Sequence, residues 1–127
     1  MIHTNELMLG NWVEYMMDDN VISPPVKVEL ISNQCVDVTN GENSWDVDEG
    51  DLLGIPITEE LLEKCGFRNG KRYWFDSNEI IEVDFEESAV HMSFIGNERW
   101  NIKYIFFLHD LQNAYFMLTK KHFEVVL

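Results

Sequence analysis

Ile55-Pro56-Ile57-Thr58-Glu59-Glu60-Leu61-Leu62-Glu63-Lys64-Cys65-Gly66-Phe67 carries a helix with both of its ends written out. Thr58 is a capping residue, and Glu59 and Glu60 fall in the first turn, where the helix dipole favours acids. Ile57 and Leu62 stand at the N′ and N4 positions of a hydrophobic staple. Gly66 suits the left-handed C′ position, and Phe67 just beyond it can fold back onto Leu62. This helix, predicted over 56–67, has β patterns on both sides, and that order decides the fold class.

On the N-terminal side, 7–15 reads as a strand with Gly10 as a bulge or bend. A connecting loop runs from Met16 to Pro25, and Pro24-Pro25 withholds ladder donors. Val26 to Ile31 alternates, with Val26, Val28 and Leu30 on one face and Lys27 and Glu29 on the other. Cys35 to Val38 continues the pattern, Asn40-Gly41 is a hairpin-type turn, and Trp45 and Val47 lie on the next short strand. On the C-terminal side, Tyr73–Phe75, Ile80–Phe85, Val90–Ile95 and Arg99–Phe106 read as strands, with turns at Asp76-Ser77-Asn78 and Gly96-Asn97. A second helix is predicted over 108–119 with Leu108, Leu111, Tyr115 and Leu118 as its buried stripe, and Phe123–Leu127 reads as a closing strand. The predicted fold is α+β in a single domain over 1–127: a bent antiparallel sheet or small β-barrel with two helices, the second near the C-terminus.

The 127 residues, 46% hydrophobic and 13% aromatic, suffice for one well-buried core and exclude a disordered or low-complexity chain. The longest apolar run, Ile102 to Leu108, is far shorter than the roughly 20 residues a membrane-spanning helix requires. The opening Met1-Ile2-His3-Thr4-Asn5-Glu6 has no basic and apolar regions of a signal peptide. Cys35 and Cys65 belong to no C-x-x-C pair and read as reduced, buried thiols of a cytoplasmic protein.

Charge is the unusual property. The chain carries −14, and the split is uneven: residues 1–65 hold fourteen acids against Lys27 and Lys64, whereas 66–127 hold nine acids against seven bases. Phosphate recognition requires basic residues facing the backbone, so nucleic acid is disfavoured as a direct ligand, and an acidic membrane surface is disfavoured on the same ground. A protein partner with a basic surface fits the charge.

Three blocks look familiar together: Asn5-Glu6-Leu7-Met8-Leu9-Gly10-Asn11, the helix of 55–67, and His109-Asp110-Leu111-Gln112-Asn113-Ala114-Tyr115-Phe116-Met117-Leu118-Thr119. They resemble a family of small uncharacterised proteins of Bacteroidetes and their phages and mobile elements. The chain departs from that pattern at Cys65, where an aromatic residue is usual, and at Lys120, where a helix-ending glycine is usual. Lysine is poorer than glycine at positive φ, so the second departure bears on how the last helix ends. The resemblance implies an origin and no particular activity.

Catalytic signatures are absent from the sequence. There is no G-x-S-x-G elbow, no Gly-rich phosphate loop, and no Cys–His pair that spacing brings together. Cys65, at the negative end of a helix dipole, is a poor nucleophile. Glu42, Asp46, Asp48, Glu49 and Asp51 crowd ten residues but miss the glycine and terminal acid of an EF-hand, and His3, His91, His109 and His122 follow no zinc spacing. No catalytic, cofactor or metal residue is therefore assigned, and no cofactor is expected.

Two surfaces remain as candidates. The acids Asp46, Asp48, Glu49 and Asp51, with the ladder Glu82, Asp84 and Glu86 on an alternating strand, form a prospective partner surface. His109, Gln112 and Asn113 share one helix face at i, i+3, i+4 and could read a small ligand's hydrogen-bond pattern; satisfying neighbouring strand ends is the favoured role. Trp12, Trp45, Tyr73, Trp74, Trp100, Tyr104 and Tyr115 line a groove or fill the core. The expectation is a non-enzymatic acidic interaction protein of phage or mobile-element origin, binding a host or self-encoded protein as an inhibitor or nucleic-acid mimic. The alternative is a small-ligand binding domain with its pocket beside the last helix.

Overall fold

The Thr58 hydroxyl accepts the Leu61 N–H at 3.1 Å, and helix α1 (Glu59–Lys64) starts there. Gly66, at φ +83°, lets the Phe67 N–H reach the Leu62 carbonyl at 2.9 Å and its own N–H reach Glu63 at 3.0 Å. These are the paired bonds of a Schellman end, with Ile57, Leu62 and Phe67 all buried around it. The computed structural model describes residues 2–71, 73–76, 81–86, 89–94 and 103–127, with the side chains of 19, 86, 89, 94, 103, 104 and 118 set aside. The predicted turns at Ser77-Asn78 and Gly96-Asn97, the strand ends at Ile80, Ile95 and 99–102, Trp100, and the side chains of Glu86, Tyr104 and Leu118 lie outside the described residues.

The fold is α+β, with two antiparallel sheets, one curled into a half-barrel, and two helices. In the first sheet β1 (Trp12–Tyr15), β2 (Val26–Ile31), β3 (Cys35–Thr39), β4 (Ser44–Asp48) and β5 (Leu52–Leu53) run in the order β4-β3-β2-β1-β5. The second sheet holds β6 (Arg68–Asn69), β7 (Tyr73–Phe75), β8 (Ile81–Glu86), β9 (Ala89–Phe94) and β10 (Lys103–Ile105) in the order β10-β9-β8-β7-β6. Helix α2 spans Leu108–Thr119, the predicted bounds. The chain divides into two compact units: Met1–Pro56 with Phe107–Asn113, and Ile57–Phe106 with Ala114–Leu127. The first half of α2 thus belongs to one unit and its second half to the other.

In the first unit, Val26 and Val28 of β2, Val36 and Val38 of β3, and Val47 of β4 alternate inward, with Ile2 and Leu7 packed on the same cluster. Val13, Val36 and Val38 have no exposed surface; burial of each contributes about 1.5–3 kcal/mol. Leu30 departs from the predicted face. A register shift between Val28 and Leu30 places an extra residue in β2, and Leu30 turns outward, 54% exposed. A second device bends this sheet at β1: Trp12 and Val13 pair with β2, whereas Glu14 and Tyr15 pair with β5.

In the second unit, Ile81 and Val83 of β8 and Ile105 of β10 are fully buried, with Trp74, Met92 and Tyr115 nearly so. Asp76, placed in a turn by the sequence, is buried: one carboxylate oxygen accepts the Ile81 N–H at 2.9 Å, and the other accepts the Tyr115 hydroxyl at 3.2 Å. The predicted closing strand 123–127 is not one. Phe123 instead sets its ring edge-to-face against Phe67 (5.5 Å) and Tyr115 (5.2 Å), and this aromatic anchoring replaces ladder pairing.

Lys120 ends α2 at φ +58°, its N–H donating to the Phe116 carbonyl at 2.7 Å. A left-handed backbone costs an L-residue about 1–2 kcal/mol, and glycine's greater unfolded-state freedom returns part of that. Losing the Lys120 ammonium over the Phe116 ring (5.9 Å) offsets a little more. Lys120→Gly is expected to stabilise by about 0.5 kcal/mol, read as a rise of roughly 2–3 °C in calorimetric Tm; an unchanged or lower Tm would contradict the strain at this cap.

Candidate functional site

The loop between β1 and β2 is pinned at both ends. Ser23 accepts the Tyr15 N–H on its hydroxyl at 2.9 Å and returns its own N–H to the Tyr15 carbonyl at 2.8 Å. Between them, Met16 donates to the Asp51 carbonyl and Met17 to that of Val21, with Asn20 in the left-handed region (φ +60°) that asparagine tolerates. The turn Asp18–Asn20 is thereby held next to β4 and the turn Glu49–Asp51. A concavity of about 500 Å³ results, with Asp18, Asp46, Asp48 and Asp51 at its walls. Tyr15, Met16 and Met17 also line it. Met17, Val21 and Ile22 are 40%, 54% and 55% exposed, so apolar surface adjoins the four acids.

Charge converges on this unit. Its segments hold twelve carboxylates against one lysine, Lys27, whose ammonium lies 5.6 Å from the centre of the Trp12 ring. On the outer face of the sheet, Asp37 of β3 stands directly across from Asp46 of β4. The hydrogen bond between these two carboxyls raises the Asp37 pKa, and burial and the charges of Asp46 and Glu29 act in the same direction. Burial likewise raises the carboxyl of Glu14. Like charges held this close favour any cation that approaches them.

The predicted partner surface divides. Asp46, Asp48 and Asp51 line the concavity together. Glu49 does not: it accepts the Thr4 N–H at 2.8 Å and lies 3.5 Å from the His3 imidazole, fastening the N-terminal turn. The Thr4 bonds, and after them His3, hold its pKa below the usual carboxylate range. Glu82 is a second correction, being buried and accepting the Ser93 hydroxyl at 3.0 Å, since β8 is a central strand of its sheet. Asp84 is half-buried between Tyr73 and His91 on the neighbouring strands.

Gln112 and Asn113 are occupied by the protein itself. Gln112 accepts the Trp12 N–H at 2.9 Å and donates to the Gly10 carbonyl at 3.2 Å. Asn113 accepts from the buried Asn11 amide at 2.7 Å and donates to the Glu6 carbonyl at 2.9 Å. Both therefore lace α2 to 6–12, and their amide groups are engaged within the protein. His109 differs. It is fully buried, and neither ring nitrogen has a hydrogen-bond partner among the described residues. Burial lowers its pKa against the opposing pull of Asp110 and Glu6. Its ring stacks on Phe107 at 5.7 Å.

Of the aromatic residues, Trp74 and Tyr115 are core, while Trp45 packs beside the first core and donates its indole N–H to the Tyr15 hydroxyl at 3.0 Å. Both cysteines are free thiols. Cys65 is buried as expected, whereas Cys35 is half-buried with its sulfur 3.0 Å from the Ser32 hydroxyl. No helix among the described residues is long and apolar enough to cross a membrane.

No family model, curated protein or solved structure matches the chain. The concavity's second wall, Asp18 with Met16 and Met17, escaped the sequence reading because the loop's return depends on Ser23 and on no local motif. Asp37 escaped because facing acids on adjacent strands are visible only once the register is known.

Proposed function

We propose that this protein is a non-enzymatic interaction protein of phage or mobile-element origin that acts in the cytoplasm as an inhibitor or nucleic-acid mimic. Its partner is a host or self-encoded protein with a basic surface, which offers a segment combining lysine or arginine with an apolar residue. The observation that carries this reading is the concavity in which Asp18, Asp46, Asp48 and Asp51 surround Tyr15, Met16 and Met17. Carboxylates at the rim steer a basic segment and set its register, while methionine adapts to the apolar residue that follows. The origin rests on the resemblance of the three sequence blocks, and the compartment on the two free thiols.

The test is fluorescence anisotropy with a labelled peptide of alternating lysine and leucine, accompanied by affinity capture from nuclease-treated host lysate at two salt concentrations. The triple variant Asp46→Asn, Asp48→Asn, Asp51→Asn is expected to weaken peptide binding roughly three- to hundredfold at low salt and to lose the captured protein. Each neutralised rim charge contributes roughly 0.2–1 kcal/mol. Asp84→Asn in the second sheet is expected to change neither. Equal binding by the triple variant and the parent chain would refute the reading.

A further inference from the structure

His109 poses a problem that the proposed docking surface does not solve. A fully buried imidazole with neither nitrogen hydrogen-bonded among the described residues is a costly arrangement, since a buried polar atom that gives up water must find a replacement partner. Its Nε2 lies 3.5 Å from Oδ1 of Asp110. The other oxygen of Asp110 accepts the Phe107 N–H at 3.1 Å, which fixes the carboxylate's orientation at the start of α2. Glu6 reaches the same place from the N-terminal turn. Its carbonyl is bonded to Asn113, one turn along α2, and its carboxylate accepts the His3 N–H at 2.7 Å. One ligand atom from each of Glu6, His109 and Asp110 lies within 4.8 Å of the others.

We infer that Glu6, His109 and Asp110 form a binding site for a divalent first-row transition-metal ion, with zinc as the representative. Two donors about 2.0–2.2 Å from a tetrahedral zinc stand roughly 3.3–3.6 Å apart, the separation already present between His109 and Asp110. Glu6 is exposed, so closing the remaining distance needs only rotation of a solvated side chain. One imidazole and two carboxylates form a borderline donor set that suits zinc or manganese better than calcium, which takes oxygen ligands alone. The ion satisfies Nε2 and leaves Nδ1 as it is. The positive end of the helix opposes a cation only weakly, and two carboxylates in direct contact outweigh that. The ligand types were all visible in the sequence, but Glu6 and His109 come together only through tertiary contacts, among them the bonds of Gln112 and Asn113 to 6–12. The site is independent of the acidic concavity.

The experiment uses the full chain, stripped with chelator and titrated calorimetrically with zinc chloride, with magnesium and calcium chlorides as comparison. One zinc per chain is expected, with at least a tenfold weaker response to magnesium or calcium. Glu6→Gln keeps the acceptor for the His3 N–H, and Asp110→Asn keeps the acceptor for Phe107. Each is expected to lower zinc affinity at least tenfold, with an unchanged circular dichroism spectrum. His109→Gln is expected to abolish one-to-one binding, and His122→Ala to leave it unchanged. Absence of zinc binding, or binding that survives both Glu6→Gln and Asp110→Asn, would overturn the assignment.

Discussion

Gly54→Ala is expected to destabilise the protein by about 1–2 kcal/mol, read as a lower urea midpoint with an unchanged slope. The sign is the informative part. At an ordinary backbone conformation, replacing glycine with alanine stabilises by roughly 0.4–1 kcal/mol, because the unfolded chain loses freedom. Gly54 lies outside the left-handed region, so alanine fits its backbone. The space is what alanine lacks: a Cβ there would fall inside the Phe107 ring, against Cγ, Cδ1 and Cδ2. These atoms lie near the root of the side chain and cannot swing aside. The far face of the problem is closed too, since Phe107 is stacked on buried His109 at 5.7 Å and its neighbour Leu108 donates its N–H to the Ile55 carbonyl at 2.8 Å. Overpacking of this kind costs about 1–3 kcal/mol. A double-mutant cycle with Phe107→Ala checks the cause, because removing the ring is expected to abolish most of the alanine penalty. Additive effects would mean that the contact is not responsible.

Alkaline destabilisation traceable to Cys65 is the second large effect. Burial pushes this thiol up to about 11, from an ordinary value of 9.0. As pH rises past 9 the unfolded chain ionises its thiol while the folded chain still holds the proton, so the folded state binds more protons and stability falls with pH. The contribution is intact below about pH 9 and is lost progressively up to about 11. Two pKa units at 1.36 kcal/mol each set its size at about 2–3 kcal/mol. Lysines and tyrosines titrate in the same window, so the measurement is the difference between the parent chain and Cys65→Ala in urea midpoints at pH 8, 9.5 and 10.5. Parallel pH profiles would refute the assignment. The same burial is expected to leave Cys65 unreactive to a thiol reagent at pH 8, with half-buried Cys35 as the residue that reacts.

The elements that could be read from sequence are those governed by neighbours in the chain. The cap at Thr58, the Schellman turn at Gly66 and the bounds of α2 each follow from residues within a few positions of one another. Strand locations were equally legible at β2, β3 and β7. What alternation could not reveal was the bulge that turns Leu30 outward, or the central place of β8 that buries Glu82. Both depend on pairing between segments. The acidic surface was legible as composition, yet the three acids that line the concavity could be separated from Glu49 only once the N-terminal turn was seen to claim that carboxylate. Phe123 read as a strand residue because apolar residues surround it, and its aromatic partners lie far back in the chain.

The first unit's dependence on Phe107–Asn113 has a consequence for the order in which the protein is made. A ribosome delivers Met1–Pro56 first, and every strand of the first sheet is then present. Yet Asn11, Gly10, Trp12 and the Glu6 carbonyl still lack the Gln112 and Asn113 amides that bond them, and Ile55 lacks the Leu108 N–H. At roughly 5–20 residues per second, translation of the intervening chain takes several seconds. During that interval the backbone groups of 6–12 and the Ile55 carbonyl stand without the closing segment that bonds them. Like charge of this density makes copies of the incomplete chain repel one another until that last strap arrives.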